Sequence, residues 1–285
     1  MKRAFSVLLL LSACSQKATA PTANETGPAV AATPAKPVAP AVTAFAYDEE
    51  NDLIEFHYGW SAEAAAVPQL VERFRKNMEK VKAELLAGAR EDKAMRDKEK
   101  IEFHGYMSST QNDTAGQSDR LLSLSVEVGA YTGGAHGNSG TNAILWDRQA
   151  AKEIQVADLF VESSNMTRLL TQRWCDALNK AREEKRGEPV GGGGIFDDCP
   201  KLSDLAIIPT DKDKNGRFER LMLVASPYVA GPYVEGSYEI DLAVTPDLVA
   251  ALKADYRPSF EAQTQYPGNG DWPAATRRHP PCPGR

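Results

Sequence analysis

Alternating apolar and polar residues predict several β-strands in the middle of this chain. Ile54, Phe56 and Tyr58 alternate with Glu55 and His57, which is the pattern of a half-buried strand. Comparable patterns predict strands at residues 122–128, 143–146, 205–208, 218–225 and 238–244. All of these segments lie between residues 45 and 256, so we place the folded region there.

Apolar residues at intervals of three and four predict helices among these strands. The first helix opens at Pro68, and the charged run of residues 90–100 is its solvated end and the loop that follows. A second amphipathic helix follows Ser164 and stops at Gly187, and a short third helix begins at Thr245. The combination predicts an α+β fold, in which an antiparallel β-sheet carries helices packed on one side.

The N-terminus predicts export. Lys2 and Arg3 precede an apolar run at residues 4–11 that is too short to span a bilayer, and small residues lead to Cys14. This ending resembles the bacterial lipobox, which implies cleavage before Cys14 and acylation of that residue, so that a lipid membrane is the first expected partner. An ordinary signal peptide with an incidental cysteine is the alternative. Ser15 resembles the residue that permits transfer to the outer membrane, so we expect an outer-membrane anchor and a domain facing the periplasm.

Both ends of the chain are predicted to lie outside the fold. Residues 1–13 form the signal peptide. Residues 14–44 form a lipidated tether, rich in Ala, Pro and Thr, that lacks periodicity and cannot bury enough apolar area to fold. Residues 257–285 hold six prolines and no apolar period, which predicts a second disordered segment.

Charge narrows the classes of partner. The 285 residues carry a net charge of −6, and removal of Lys2 and Arg3 with the signal peptide leaves −8. Nucleic-acid binding needs clustered Lys and Arg against phosphate, so an acidic chain of this kind is not expected to bind nucleic acid. An acidic chain can instead steer a basic protein toward itself.

Three cysteines follow Cys14 along the chain. Cys175 on the second helix and Cys199 after a run of four glycines are predicted to form a disulfide, because an exported chain meets an oxidising compartment. The alternative is a buried free thiol at Cys175, and zinc is less favoured because no C-x-x-C spacing or histidine cluster is present. Cys282 is left without a partner.

Two loops concentrate residues that could bind a ligand. Tyr131 and His136 enclose Gly133 and Gly134, and glycines permit close backbone approach while a histidine can transfer protons or bind a ligand. The simpler alternative is a tight loop whose histidine bonds to the backbone.

The second loop carries aromatic residues around a Gly-Pro turn. Tyr228, Tyr233 and Glu235 lie within eight residues of one another along the chain, and aromatic side chains are frequent anchors of binding surfaces. Core packing of the two tyrosines is an equal alternative.

A third segment resembles half of a calcium loop. Asp211, Asp213 and Asn215 place oxygens at alternate positions, and Gly216 stands sixth, as in an EF-hand. The twelfth position is Met222, where a bidentate glutamate is needed, so a plain hairpin turn is the favoured interpretation. No cofactor is therefore predicted, with calcium as the alternative.

The two loops together carry a family resemblance, through three segments in this order: Tyr131-Thr-Gly-Gly-Ala-His136, Leu145-Trp-Asp147 and Tyr228-x-x-Gly-Pro-Tyr233-x-x-Gly236. The pattern resembles the extracellular domain shared by RsiV-type anti-sigma factors and the non-catalytic N-terminal part of PdaC-type deacetylases, known as DUF4163 followed by DUF3298. The resemblance divides the fold into a DUF4163-like part at residues 45–130 and a DUF3298-like part at residues 131–256.

The resemblance implies a binding function rather than catalysis. In RsiV-type proteins this region binds lysozyme, and the catalytic domain of the deacetylases is a separate region that we do not find in this chain. Transmembrane and sigma-binding segments are not found either. We therefore expect a non-catalytic envelope module that binds lysozyme or peptidoglycan through the two aromatic loops. The alternatives are a cell-wall glycan hydrolase or deacetylase-related enzyme that uses His136, and a purely structural lipoprotein.

Overall fold

The computed structural model describes residues 42–263, which form two β-sheets and the helices that cover them. The strands are β1 (Phe45–Glu50), β2 (Ile54–Trp60), β3 (Tyr106–Gln117), β4 (Leu121–Tyr131), β5 (Asn138–Asp147), β6 (Lys152–Ile154), β7 (Ala206–Thr210), β8 (Arg220–Ala225) and β9 (Tyr238–Ala243). The helices are α1 (Ala62–Ala65), α2 (Pro68–Glu99), α3 (Ser163–Arg186) and α4 (Pro246–Ala251).

The first sheet has the order β1-β2-β3-β4-β5-β6, and its neighbouring strands are antiparallel except for one pair. Strands β2 and β3 are parallel, with Ile54 opposite Tyr106 and Trp60 opposite Asn112. The connection between them is the long helix α2, which brings the chain back to the end of the sheet where β2 began. The α+β prediction is confirmed, with the refinement that this sheet is mixed and that a second, antiparallel sheet of order β7-β8-β9 accompanies it.

The first sheet lies between two hydrophobic cores. Leu122 and Leu124 of β4 pack in a core with Phe74 of α2, whereas Leu121 packs in a second core with Trp174 of α3. Because successive residues of a strand point to opposite faces, this alternation shows that β4 is buried on both sides. The second core also contains the inner residues of the small sheet.

The predicted helix boundaries have local causes. Pro68 stands at the first turn of α2, where its missing N–H costs no hydrogen bond. Gly187 ends α3 in the left-handed conformation, with φ of 72°, and its N–H donates to the carbonyl of Glu183. The Thr245 side chain accepts a hydrogen bond from the N–H of Leu248 and so caps α4.

The fold continues past Tyr256, where the sequence predicted its end. The Phe260 ring lies 5.3 Å from the ring of Phe218, and the hydroxyls of Ser259 and Ser118 are 2.9 Å apart. The many prolines of residues 257–285 predicted a disordered segment. Burial of Phe260 against Phe218 nevertheless holds the first residues of that segment on the fold. The predictions for Cys14, the signal peptide, the tether up to residue 41 and Cys282 fall outside the described residues. None of the helices within residues 42–263 has the length and apolar character needed to span a bilayer.

Candidate binding surface

The two loops that the sequence singled out meet in the folded chain. The first connects β4 to β5 and the second connects β8 to β9, so each sheet contributes one hairpin loop. The rings of His136 and Tyr233 are stacked, with centroids 3.9 Å apart and planes inclined by 21°. The Tyr233 hydroxyl donates to the carbonyl of Gly137 at 2.7 Å, across a sequence separation of 96 residues.

A third ring extends this stack. The Tyr228 ring centroid lies 5.8 Å from that of Tyr233, and the residue is 54% exposed. Its φ of 71° lies in the left-handed region, which is unusual for a residue with a Cβ atom. Its N–H donates to the carbonyl of Gly231 at 3.0 Å and so holds the turn in this conformation. Such a strained, exposed aromatic residue is a feature of functional loops. We call His136, Tyr228 and Tyr233 the aromatic stack.

The other predicted residues of the first loop have supporting positions. Gly133 has φ of 83°, and its carbonyl accepts a hydrogen bond from Arg96 of α2 at 3.4 Å. Gly134 is an exposed residue of the same loop. Tyr131 is the last residue of β4, opposite Met107 of β3, and no ring contact within the described residues joins it to the aromatic stack.

Glu235 anchors the second loop to helix α3. Its carboxylate accepts a hydrogen bond from Arg186 Nε at 2.9 Å and another from the Tyr238 hydroxyl at 2.5 Å. Burial works to raise the pKa of Glu235, but these two hydrogen bonds outweigh it, and the pKa lies below its usual value. Burial and the same carboxylate raise the pKa of Tyr238 to about 12. Glu235 is therefore committed to internal contacts rather than offered to a ligand.

Arg182 is the residue that sequence reasoning missed. Its side chain is fully buried, and its guanidinium donates to the carbonyls of Ala230, Asp197 and Asp198 at 2.9–3.2 Å. It thus ties the second aromatic loop to the segment that follows α3. A signal was present, because Arg182 continues the spacing of four that Trp174 and Leu178 define on the inner face of the helix.

The predicted disulfide holds the same region. Cys175 and Cys199 are bonded, with an S–S distance of 2.00 Å and 5.6 Å between the Cα atoms. The bridge joins α3 to the end of the glycine-rich loop that follows it. Together with Arg182 it confines a loop whose own sequence, with Gly191 and Gly193 at positive φ, favours many conformations.

Two large apolar residues are almost fully exposed, one on the second aromatic loop and one on the glycine-rich loop after α3. Val234, next to Tyr233, is 90% exposed, and Ile195 of the glycine-rich loop is 93% exposed. Arg186 connects the second aromatic loop to the glycine-rich loop, because it pairs with Glu235 and its Nη1 lies 3.5 Å from a carboxylate oxygen of Asp197. Exposed apolar residues beside an ordered aromatic cluster are typical of a protein-binding surface.

The chemistry available to His136 is limited by its neighbours. Its Nδ1 lies 2.8 Å from the carbonyl of Gly137, and its ring face is covered by Tyr233. Within residues 42–263 no carboxylate lies at ion-pairing distance from this imidazole. The arrangement agrees with the simpler alternative from the sequence, a tight loop whose histidine bonds to the backbone.

Two further features lie elsewhere on the fold. A cleft of about 700 Å³ opens between α2 and the first sheet, and Arg73, Asn77 and Thr110 are among its lining residues. The hairpin turn predicted between Ile208 and Phe218 connects β7 to β8 over residues 211–219, and it brings the carboxylates of Asp211 and Glu219 close together.

Comparison with known proteins agrees with the resemblance seen in the sequence. Residues 47–139 match the family model described as Deacetylase PdaC. A DUF3298 family protein from Pseudomonas aeruginosa is 16% identical, with a TM-score of 0.45, covering 78% of this chain and 98% of that one. A DUF3298 family member from Bacteroides fragilis is 15% identical, with a TM-score of 0.44, covering 76% and 95% respectively. No curated protein matches the chain. The match over residues 47–139 confirms the predicted resemblance to PdaC for that part of the chain.

Proposed function

We propose that this chain is an envelope lipoprotein whose folded domain binds, without catalysis, a basic protein such as lysozyme. The aromatic stack and the neighbouring Val234 form the proposed contact surface. The observation that carries the proposal is the meeting of two loops, 96 residues apart in sequence, in one ordered and partly exposed set of rings. Cell-wall material is the second candidate ligand for the same domain.

The side chain of Tyr233 is held in place before any partner binds, which favours high affinity for that partner. Tyr233 is held by a hydrogen bond through its hydroxyl and by the ring of His136, and the loop below it is tied down by Arg182 and Glu235. A side chain that is already fixed loses little conformational entropy when a partner arrives. Tyrosine also supplies a large contact area with few rotatable bonds, which is why it is frequent among binding hot spots.

Exposure indicates a partner of macromolecular size. Val234 at 90% and Tyr228 at 54% exposure present apolar area that water solvates poorly, and no described part of the chain covers it. A protein surface can bury both side chains at once and exclude water around them. A small polar molecule gains less from two exposed apolar side chains than from a cleft that encloses it.

Net charge favours a basic partner. The chain without its signal peptide is expected to carry −8, and this field accelerates encounter with a cationic protein at low ionic strength. Lysozyme is such a protein, and it is the ligand that the family resemblance implies. Attachment through Cys14, with the domain facing the periplasm, would place the surface where an invading or resident cell-wall enzyme passes.

Calorimetric titration of lysozyme into the full chain, purified in a mild detergent, tests the proposal. We expect binding that weakens with salt, and Tyr228→Ala and Val234→Ser should each weaken it by about tenfold or more. Val161→Ser is the matched control, because Val161 is 61% exposed and lies in a different segment, between β6 and α3. Equal weakening by the control variant would contradict a specific surface.

An absence of lysozyme binding at low salt and at high salt would refute the lysozyme assignment. Pull-down with purified sacculi, compared between the wild-type chain and Asn77→Ala in the cleft beside α2, would then test cell-wall material. The enzymatic alternative requires His136, so an activity on cell-wall glycan that His136→Ala abolishes would replace the proposal. Binding to neither ligand would leave the structural lipoprotein as the better hypothesis.

A further inference from the structure

The hairpin between β7 and β8 gathers three carboxylates that the aromatic surface does not use. Asp211, Asp213 and Glu219 each offer an oxygen atom within 4.8 Å of the others. Asn215 continues the alternate spacing, and Gly216 follows it with φ of 85°. Like charges at this separation repel one another, so the three carboxylates need a nearby positive charge or several hydrogen-bond donors.

Backbone donors compensate only part of the group. Asp211 accepts hydrogen bonds from the N–H groups of Asn215 and Gly216 at 3.1 and 3.0 Å, and Asp213 accepts one from Asn215 at 3.1 Å. Each carboxylate retains lone pairs beyond these bonds. The amide nitrogen of Asn215 lies 3.0 Å from oxygens of both Asp213 and Glu261, which brings a fourth carboxylate to the rim.

Glu219 is the residue that distinguishes this turn from an ordinary hairpin. It is only 4% exposed, and its Oε1 accepts a hydrogen bond from the N–H of Lys212 at 3.0 Å. Its Oε2 is buried and has no hydrogen-bond partner within the described residues. A buried carboxylate oxygen without a partner is costly, so its retention beside two other acids points to a ligand that it meets.

We propose that Asp211, Asp213 and Glu219 form a binding site for Ca²⁺. The three ligand atoms are all oxygens, which hard divalent cations prefer to nitrogen or sulfur. Calcium–oxygen distances of about 2.3–2.6 Å allow two ligands of one ion to stand about 5 Å apart, which accommodates the 4.8 Å observed. Magnesium, at about 2.0–2.1 Å, would require a tighter group. Glu219 stands at the ninth position of the loop, and it takes over the charge that an EF-hand supplies at the twelfth.

Titration of CaCl₂ into the full chain after treatment with a chelator tests this site directly. We expect one Ca²⁺ per chain, with a dissociation constant of about 10⁻⁴ to 10⁻³ M as in other extracellular calcium modules, and a higher melting temperature with calcium. MgCl₂ at the same concentrations should bind at least about tenfold more weakly. The aromatic stack takes no part in the proposed calcium site. The tests of lysozyme binding and of calcium binding can therefore succeed or fail independently of each other.

Two variants and a control identify the ligands. Asp213→Asn alters an exposed residue, so the chain should fold and bind Ca²⁺ about tenfold more weakly, and Glu219→Gln should abolish the calcium-dependent rise in melting temperature. Asp52→Asn, which alters an exposed aspartate before β2, should leave calcium binding unchanged. No response of the wild-type chain to calcium, equal affinity for magnesium, or unchanged binding in Asp213→Asn would each overturn the assignment.

Discussion

The buried Arg182 is expected to control the stability of the whole binding region. Its guanidinium makes five hydrogen bonds: two to the carbonyl of Ala230, one each to the carbonyls of Asp197 and Asp198, and one to the Asn179 side chain. Substitution by methionine preserves much of the volume but removes every donor. Three backbone carbonyls are then left in a site where the arginine itself is fully buried.

The size of the effect follows from these unsatisfied groups. Each buried carbonyl without a partner costs about 1–3 kcal/mol, and entry of water into the site recovers part of that sum. Three such carbonyls lose their donor at once, so after partial recovery by water we expect Arg182→Met to lower the free energy of unfolding by about 3–5 kcal/mol. Such a loss is large against the total stability of about 5–15 kcal/mol that is usual for a domain.

Urea denaturation followed by tryptophan fluorescence measures this difference, because Trp174 lies two turns before Arg182 in the same core. Arg168→Met is the matched control, since Arg168 is an exposed residue of the same helix, and its substitution should change the unfolding free energy by less than about 0.5 kcal/mol. A loss of unfolding free energy below about 1 kcal/mol for Arg182→Met would refute the view that Arg182 holds the second aromatic loop to the segment that follows α3.

Two other predictions concern a surface histidine and the expected anchor. Hydrogen bonds to Asp48 and Glu55 raise the pKa of His57, so its stabilising effect is complete below about pH 6.5 and is lost as the pH rises through the folded-state pKa. His57→Gln should therefore lower the urea midpoint at acidic pH and leave it unchanged at alkaline pH, by a small amount because the side chain is 43% exposed; an equal change at both pH values would contradict this. Cys14→Ala should move the chain from the membrane fraction to the soluble fraction and remove its labelling by palmitate, and retention in the membrane would contradict lipidation.

The elements with strong local signals were predictable from sequence. The helices α2 and α3 have an apolar face at helical spacing together with a proline at the start or a glycine at the end, and these preferences act within a few residues. The pairing of Cys175 with Cys199 also followed from the sequence, because the glycines between them permit the return of the chain.

Strand β3 lacked such a signal. Its sequence is rich in polar residues and has no run of alternating apolar residues, and its Ser and Asn residues favour turns when considered alone. In the folded chain Ser108, Thr110 and Asn112 are buried, and the Asn112 side chain donates to the carbonyl of Gly59 at 2.9 Å. Neighbouring strands on both sides supply the backbone hydrogen bonds, so tertiary pairing overrides the local preference.

The binding surface was predictable only in part, for the same reason. Sequence alone identified the two loops, because glycine, proline and aromatic residues are conspicuous at short range. It did not determine the stacking of His136 on Tyr233, which depends on how a hairpin of one sheet meets a hairpin of the other. Nor did it determine the inward role of Glu235, which depends on the packing of helix α3 against the second loop. Local sequence specifies backbone preferences over one or two turns, whereas contacts across 96 residues exist only once both sheets and their shared core have formed.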